Sequence, residues 1–103
     1  MSLTNYQDFT RTTAIYPKDK ALDYLCLGLA SEAGEVAGKR KKHIRDGGVD
    51  VVSIIDELGD VMWYVTRIAD ELNFSMEEVL QRNWAKLKDR QERNVLKGSG
   101  DAR

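Results

Sequence analysis

Ser31-Glu32-Ala33-Gly34-Glu35-Val36 and Asp56-Glu57-Leu58-Gly59-Asp60-Val61 each set two acids three residues apart inside a run of helical periodicity. On an α-helix, residues three apart share a face about one turn apart, so each stretch aims two carboxylates the same way. Two such helices side by side gather Glu32, Glu35, Glu57 and Asp60 at one place. Like charges that close repel and raise one another's pKa, a cost that a bound cation removes. A single acid pair is ordinary on a solvated helix face. Two pairs, each with an internal glycine and each at the edge of an apolar stripe, point to a metal site.

Working outward from the first pair, Leu22, Leu25, Cys26, Leu29, Ala33, Val36 and Ala37 recur at three and four, predicting a helix over about 18–43 with its buried stripe centred near Leu22 and Leu29. Gly28, Glu32, Glu35 and Lys39 form a second stripe along its edge. Gly28, Gly34 and Gly38 each weaken a helix interior by about 1 kcal/mol relative to Ala, so close approach of another helix or of a ligand is expected there. Lys39-Arg40-Lys41-Lys42-His43 places positive charge at the negative end of the helix dipole, and Lys39 and Lys42 are also placed to hold phosphates near the acids. His43 has no second histidine at ligand spacing and reads as a surface residue.

Arg45-Asp46-Gly47-Gly48 is a loop signal. Beyond it a third helix, from Val51 or Ser53 to Leu72, has the buried stripe Ile54, Leu58, Val61, Met62, Val65, Ile68, Ala69 and Leu72, with Glu57, Asp60, Tyr64 and Arg67 along one edge. Trp63 falls outside that stripe and requires a partner chain, the N-terminal segment or a planar ligand to pack against. Near the N-terminus, Thr4 and Gln7 form a capping-box pattern for a short helix over 4–14 with Tyr6, Phe9, Thr10 and Thr13 at helical spacing. Tyr16-Pro17 ends it. Ser75 and Glu78 supply a second capping box, opening a helix with Met76, Val79, Leu80, Asn83, Trp84, Leu87 and Gln91 on its inner side and with Asn83 and Arg90 projecting inward. With no period-two pattern of useful length, the chain reads as all-α, a four-helix-bundle-like subunit, with residues 1–96 as one domain and 97–103 as a disordered tail.

Composition narrows the function. The 103 residues, 42% hydrophobic and 32% charged, suit one helical domain. Sixteen basic and seventeen acidic residues leave a net charge of −1, which argues against a broad nucleic-acid or membrane surface and makes any anion site local. Cys26 has no second cysteine and reads as a buried thiol. No apolar run approaches the roughly 18 residues of a membrane span, and Met1 to Tyr6 lacks a signal-peptide pattern, so a cytoplasmic location is expected.

Sites of Glu and Asp alone suit hard cations, Mg²⁺ or Mn²⁺, whereas zinc recruits Cys or His and a di-iron bundle wants Glu-x-x-His. With lysine and arginine nearby, such a site supports hydrolysis of a phosphate ester or anhydride. Glu32-Ala33-Gly34-Glu35, Glu57-Leu58-Gly59-Asp60-Val61-Met62-Trp63-Tyr64 and Asn83-Trp84-Ala85-Lys86-Leu87-Lys88-Asp89-Arg90 together resemble the MazG-like nucleotide pyrophosphohydrolases of the all-α NTP pyrophosphohydrolase superfamily. The resemblance implies Mg²⁺-dependent hydrolysis of a nucleoside triphosphate to monophosphate and pyrophosphate, with Glu32, Glu35, Glu57 and Asp60 as metal ligands and Glu35 also the catalytic base. It implies Asn83, Lys86 and Arg90 near substrate, joining Lys39, and a homo-oligomer, a tetramer built as a dimer of dimers. A phosphoribosyl-ATP pyrophosphohydrolase, a dUTP- or dCTP-preferring relative, and a non-catalytic nucleotide-binding oligomerisation module are the alternatives.

Overall fold

The computed structural model describes residues 1–48 and 50–103. Four α-helices carry these residues: α1 (Leu3–Thr12), α2 (Ala21–Asp46), α3 (Val51–Glu71) and α4 (Met76–Glu92), with a 3₁₀ turn at Lys18–Lys20 leading into α2. The helix ends follow local chemistry. Ser2 caps α1 by accepting the Asn5 N–H, and Asp50 caps α3 by accepting the Ser53 N–H. Ser75 and Glu78 close the expected capping box at α4. Gly47, at φ 76°, ends α2 in the left-handed conformation that glycine adopts without strain. His43 accepts the Asp50 N–H at Nε2 across this turn, so it is half-buried rather than the surface residue expected.

The expected capping box at Thr4 does not form. Gln7 is buried instead, its amide donating to Asp70 and the Phe74 carbonyl and accepting the Met76 N–H. The buried face of α1 is therefore Gln7 and Thr10, while Phe9 is exposed.

The longest contact is the antiparallel pair α2 and α3. Its seam runs through Leu25, Gly28, Glu32, Val36 and Lys39 on α2 and Ile54, Glu57, Val61, Tyr64 and Ile68 on α3, positions that are buried or half-buried at spacings of three and four. The acid stripe, read from sequence as the edge of an apolar face, is thus the seam itself. Leu22 and Cys26, assigned to the buried stripe, are exposed, as are Leu58 and Met62 on α3 and Leu72 at its C-terminal cap. On α4, Met76 and Arg90 are buried, but Leu80, Asn83, Trp84, Leu87 and Gln91 are exposed rather than inward. An open groove of about 790 Å³, walled by Leu29, Val65, Leu72, Val79 and Lys86, separates α4 from the α2/α3 pair.

What holds α1 is polar. The Arg67 guanidinium, almost fully buried, donates to the Tyr16 hydroxyl at 3.0 Å, to Asp70 at 2.8 Å and to Glu71 at 3.3 Å. Arg11 closes on Asp70 from α1 at 2.6 Å. Around Tyr16 sits the small apolar core, Ala14, Ala21 and Leu25 with Trp63, Tyr64 and Ile68 against them. Trp63 takes the N-terminal segment as its partner: its Nε1–H donates to Thr13 at 2.7 Å and its ring meets Tyr16 edge-on. Residues 97–103, expected to be disordered, fold back on α4, where Asp101 accepts from Lys86 and Arg90. The whole has a radius of gyration of 16.4 Å, against about 13 Å for a compact domain of this length.

Hydrogen bonds from Arg11, opposed by partial burial and reinforced by Gln7 and Arg67, hold the Asp70 carboxyl far below its ordinary 3.8. A depressed carboxylate stabilises the fold above its unfolded pKa, and that contribution is lost as pH falls through and below 3.8. In urea titrations from pH 7 to pH 2, Asp70→Asn is expected to start less stable and to lose less on acidification than the parent chain; parallel profiles would show the clamp to be inert. Arg67→Met should lower stability by about 3 kcal/mol, since it strands half-buried carboxylates.

Candidate metal centre

Glu32 from α2 and Glu57 and Asp60 from α3 each offer a carboxylate oxygen, and these oxygens all lie within 4.8 Å of one another. Glu32 and Glu57 are half-buried in the seam and Asp60 is exposed at its edge. The geometry follows from the register: Gly28 packs against the Tyr64 ring and Lys39 reaches Glu57, which places Glu32 opposite the Glu57–Asp60 turn. A Cβ on residue 28 would fall 2.1 Å from Tyr64 Cε1, so only glycine permits this approach. The expectation of close approach holds for Gly28; at Gly34 and Gly38 nothing lies within 4 Å.

The electrostatics are unfavourable as they stand. Glu32 has its pKa raised, first by hydrogen bonding to Glu57, then by burial and by the charges of Glu57, Asp60 and Glu35. Oε2 of Glu57 is buried with no hydrogen-bond partner among the described residues, while Oε1 lies 3.9 Å from Lys39 Nζ. That distance is beyond a hydrogen bond. A buried acceptor without a donor is costly, and a cation is the group that fits it. An all-oxygen donor set of this kind suits a hard divalent ion.

Two tyrosines border the cluster. Burial, followed by the nearby Asp60 charge, raises the Tyr6 hydroxyl pKa. Burial also raises that of Tyr64, helped by Tyr24 and Glu32. Tyr64 stood on the edge line with Glu57 and Asp60 in the sequence, but nothing beyond aromatic character singled out Tyr6. Arg67, on the same line, serves the α1 clamp instead.

The structure brings Glu32, Glu57, Asp60 and Lys39 together. Glu35 is exposed one turn farther along α2, outside the group of three but near enough for its charge to act on Glu32. Lys42 is exposed. On α4, Asn83 is exposed in the groove wall, and Lys86 and Arg90 find their partner in Asp101.

Fold and site define an all-α protein with a carboxylate cluster in the seam of an antiparallel helix pair. The profile of the MazG nucleotide pyrophosphohydrolase domain matches residues 21–95, and the chain belongs to that family. It is 44% identical, over the whole of both chains, to the Gene 37 protein of Mycobacterium phage L5. No solved structure matches it. Among the described residues no helix is long and apolar enough to cross a membrane.

Removing one charge from the cluster should separate its two effects. In metal-free buffer Glu57→Gln is expected to stabilise the chain by about 1 kcal/mol, a few degrees in thermal midpoint, while abolishing the rise in midpoint that Mn²⁺ gives the parent. A variant that keeps the Mn²⁺ response would remove Glu57 from the ligand set.

Proposed function

We propose that the protein is a Mg²⁺-dependent nucleoside triphosphate pyrophosphohydrolase, converting an NTP or dNTP and water to the monophosphate and pyrophosphate in nucleotide-pool cleaning in the cytoplasm. Membership of the MazG family supports the reaction class. The observation that carries the site is the buried, unpartnered Oε2 of Glu57, on the residue whose carboxylate meets those of Glu32 and Asp60. Those three carboxylates, with Glu35 as a fourth, hold the ion. A divalent ion bound there supplies charge neutralisation for phosphate oxygens and lowers the pKa of water.

The chain's own residues do the rest. Glu35, exposed and one turn beyond Glu32, takes the proton of the attacking water. As the water oxygen bonds to the α-phosphorus, the bond from that phosphorus to the bridging oxygen breaks, and its electron pair leaves with pyrophosphate. Lys39, next to Glu57, pairs with phosphate oxygens. Asn83, Lys86 and Arg90 serve the substrate from α4, with Lys86 and Asn83 already in the wall of the groove.

A homo-oligomer, assembled as a dimer of dimers, fits the extended shape and the exposed apolar side chains, of which Leu27 and Trp84 are each 73% exposed.

The test is pyrophosphate release across a panel of nucleoside triphosphates, deoxynucleoside triphosphates and phosphoribosyl-ATP with Mg²⁺. Glu35→Gln and Asp60→Asn are each expected to lower turnover more than about 100-fold with helical circular dichroism unchanged. Near-normal turnover in both variants, or release of phosphate in place of pyrophosphate, would reject the assignment.

A further inference from the structure

Arg90 lies near the C-terminal end of α4 and is 4% exposed. Its guanidinium keeps its charge at any physiological pH, and a buried charge needs a partner. Among the described residues its hydrogen bonds go to one residue outside the helices: NH2 donates to the Asp101 carbonyl at 2.8 Å and to Asp101 Oδ1 at 3.2 Å. Lys86, one turn earlier on the same face, donates from Nζ to that same Oδ1 at 3.2 Å. Two cations thus converge on one carboxylate oxygen.

The segment that delivers this carboxylate is a built turn. Gly100 adopts φ 80°, a conformation that glycine takes without strain. The Arg103 side chain donates to the carbonyls of Val95, Leu96 and Gly100, and its Cδ lies where a Cβ on Gly98 would be. The Asp101 side chain itself is 85% exposed. Ion pairs this open to water are weak, so the carboxylate is held in place yet is displaceable. Lys86 also walls the groove that begins at Leu29, one turn before Glu32.

We propose that Asp101 fills, in competition with the substrate, the phosphate seat that Lys86 and Arg90 provide in the pyrophosphohydrolase reading, making residues 97–103 a self-inhibitory strap. The proposal deepens that reading and rests on it for the identity of the substrate. A phosphate group offers more acceptor oxygens and more charge than a single carboxylate, and it satisfies both cations at once.

Asp101→Asn removes the competing charge, and Gly100→Val disrupts the turn while leaving the charge in the chain. Each is expected to tighten calorimetric binding of inorganic pyrophosphate by about threefold to tenfold, and to lower the KM for the triphosphate by a similar factor with kcat unchanged. Adding Lys86→Gln to either variant should erase the gain. Pyrophosphate affinity equal to the parent's in both variants, or a gain in Asp101→Asn that survives Lys86→Gln, overturns the strap. A tail that only stabilises α4 would lower the melting temperature without tightening binding, which also overturns it. If no triphosphate is hydrolysed yet both variants bind pyrophosphate more tightly, the pyrophosphohydrolase reading fails and the strap stands. Hydrolysis with unchanged KM and affinity sinks the strap alone.

Discussion

Two carboxylates, Glu32 on α2 and Glu57 on α3, face each other across the seam of a helix pair, and the structure around them opposes their repulsion. At the observed oxygen separations of up to 4.8 Å, two full charges repel by about 3.5 kcal/mol at an effective dielectric constant of about 20. Fully burying one Leu returns about 1.5–3 kcal/mol, so no single packing contact offsets the pair. The seam is held on both sides of it instead. Toward the start of α2, Gly28 admits the Tyr64 ring and Leu25 is fully buried beside Ile68. Toward its end, Lys39 stands near Glu57 and His43 ties the turn to Asp50. The raised pKa of Glu32, set first by its hydrogen bonding to Glu57 and then by burial and the neighbouring charges, records the conflict.

The apolar core is too small to hold the remaining helices. Leu25 and Met76 are the large hydrophobic side chains that lose all contact with water, and they belong to different neighbourhoods. Between them lies the network of Arg67, Asp70, Arg11 and Gln7, whose energy depends on every member finding its partner. The strict geometry of a buried guanidinium replaces the looser demands of hydrophobic packing. This explains how α1, with few apolar residues facing inward, has a defined position. It also explains why so much apolar surface on α2, α3 and α4 stays uncovered in one copy of the chain, as the proposed assembly requires.

The helices were legible because their signals are local. Capping at Ser75 and the turn at Gly47 each depend on a few neighbouring residues, and the acid pairs are visible by spacing alone, whereas α1 ends at Thr12, short of the expected stop at Tyr16-Pro17. Which stripe of a helix turns inward is not local. Periodicity locates an apolar stripe but does not say whether it meets the same chain, and here the α2/α3 contact follows the stripe through Gly28 and Glu32, leaving Cys26 and Leu22 exposed. Thr4 had the residue type and spacing of a cap, but Gln7 was drawn off by Phe74 and Met76, more than sixty positions away. Of the candidate site, the grouping of Glu32, Glu57, Asp60 and Lys39 was readable. Tyr6 was not, because its place beside Asp60 depends on how α1 docks. Asp101 was not, since a polar residue in a glycine-rich tail carries no periodic signature.

The clamp and the carboxylate cluster share α3, which carries Asp70 as well as Glu57 and Asp60. Asp60 is the exposed member of the cluster, and its charge raises the pKa of Tyr6, on α1, after burial. Tyr6 immediately precedes Gln7, so the bonds from Gln7 to Asp70, Phe74 and Met76 fix where the Tyr6 ring stands. Asp70 is ten positions beyond Asp60 on α3, a rigid rod along which the spacing of side chains does not vary. The docking of α1 is therefore measured from the same helix that carries two of the three acids. The Gln7 and Arg11 bonds to Asp70 thus anchor the helix that carries Tyr6, whose hydroxyl feels the Asp60 charge, to the helix that carries Glu57 and Asp60.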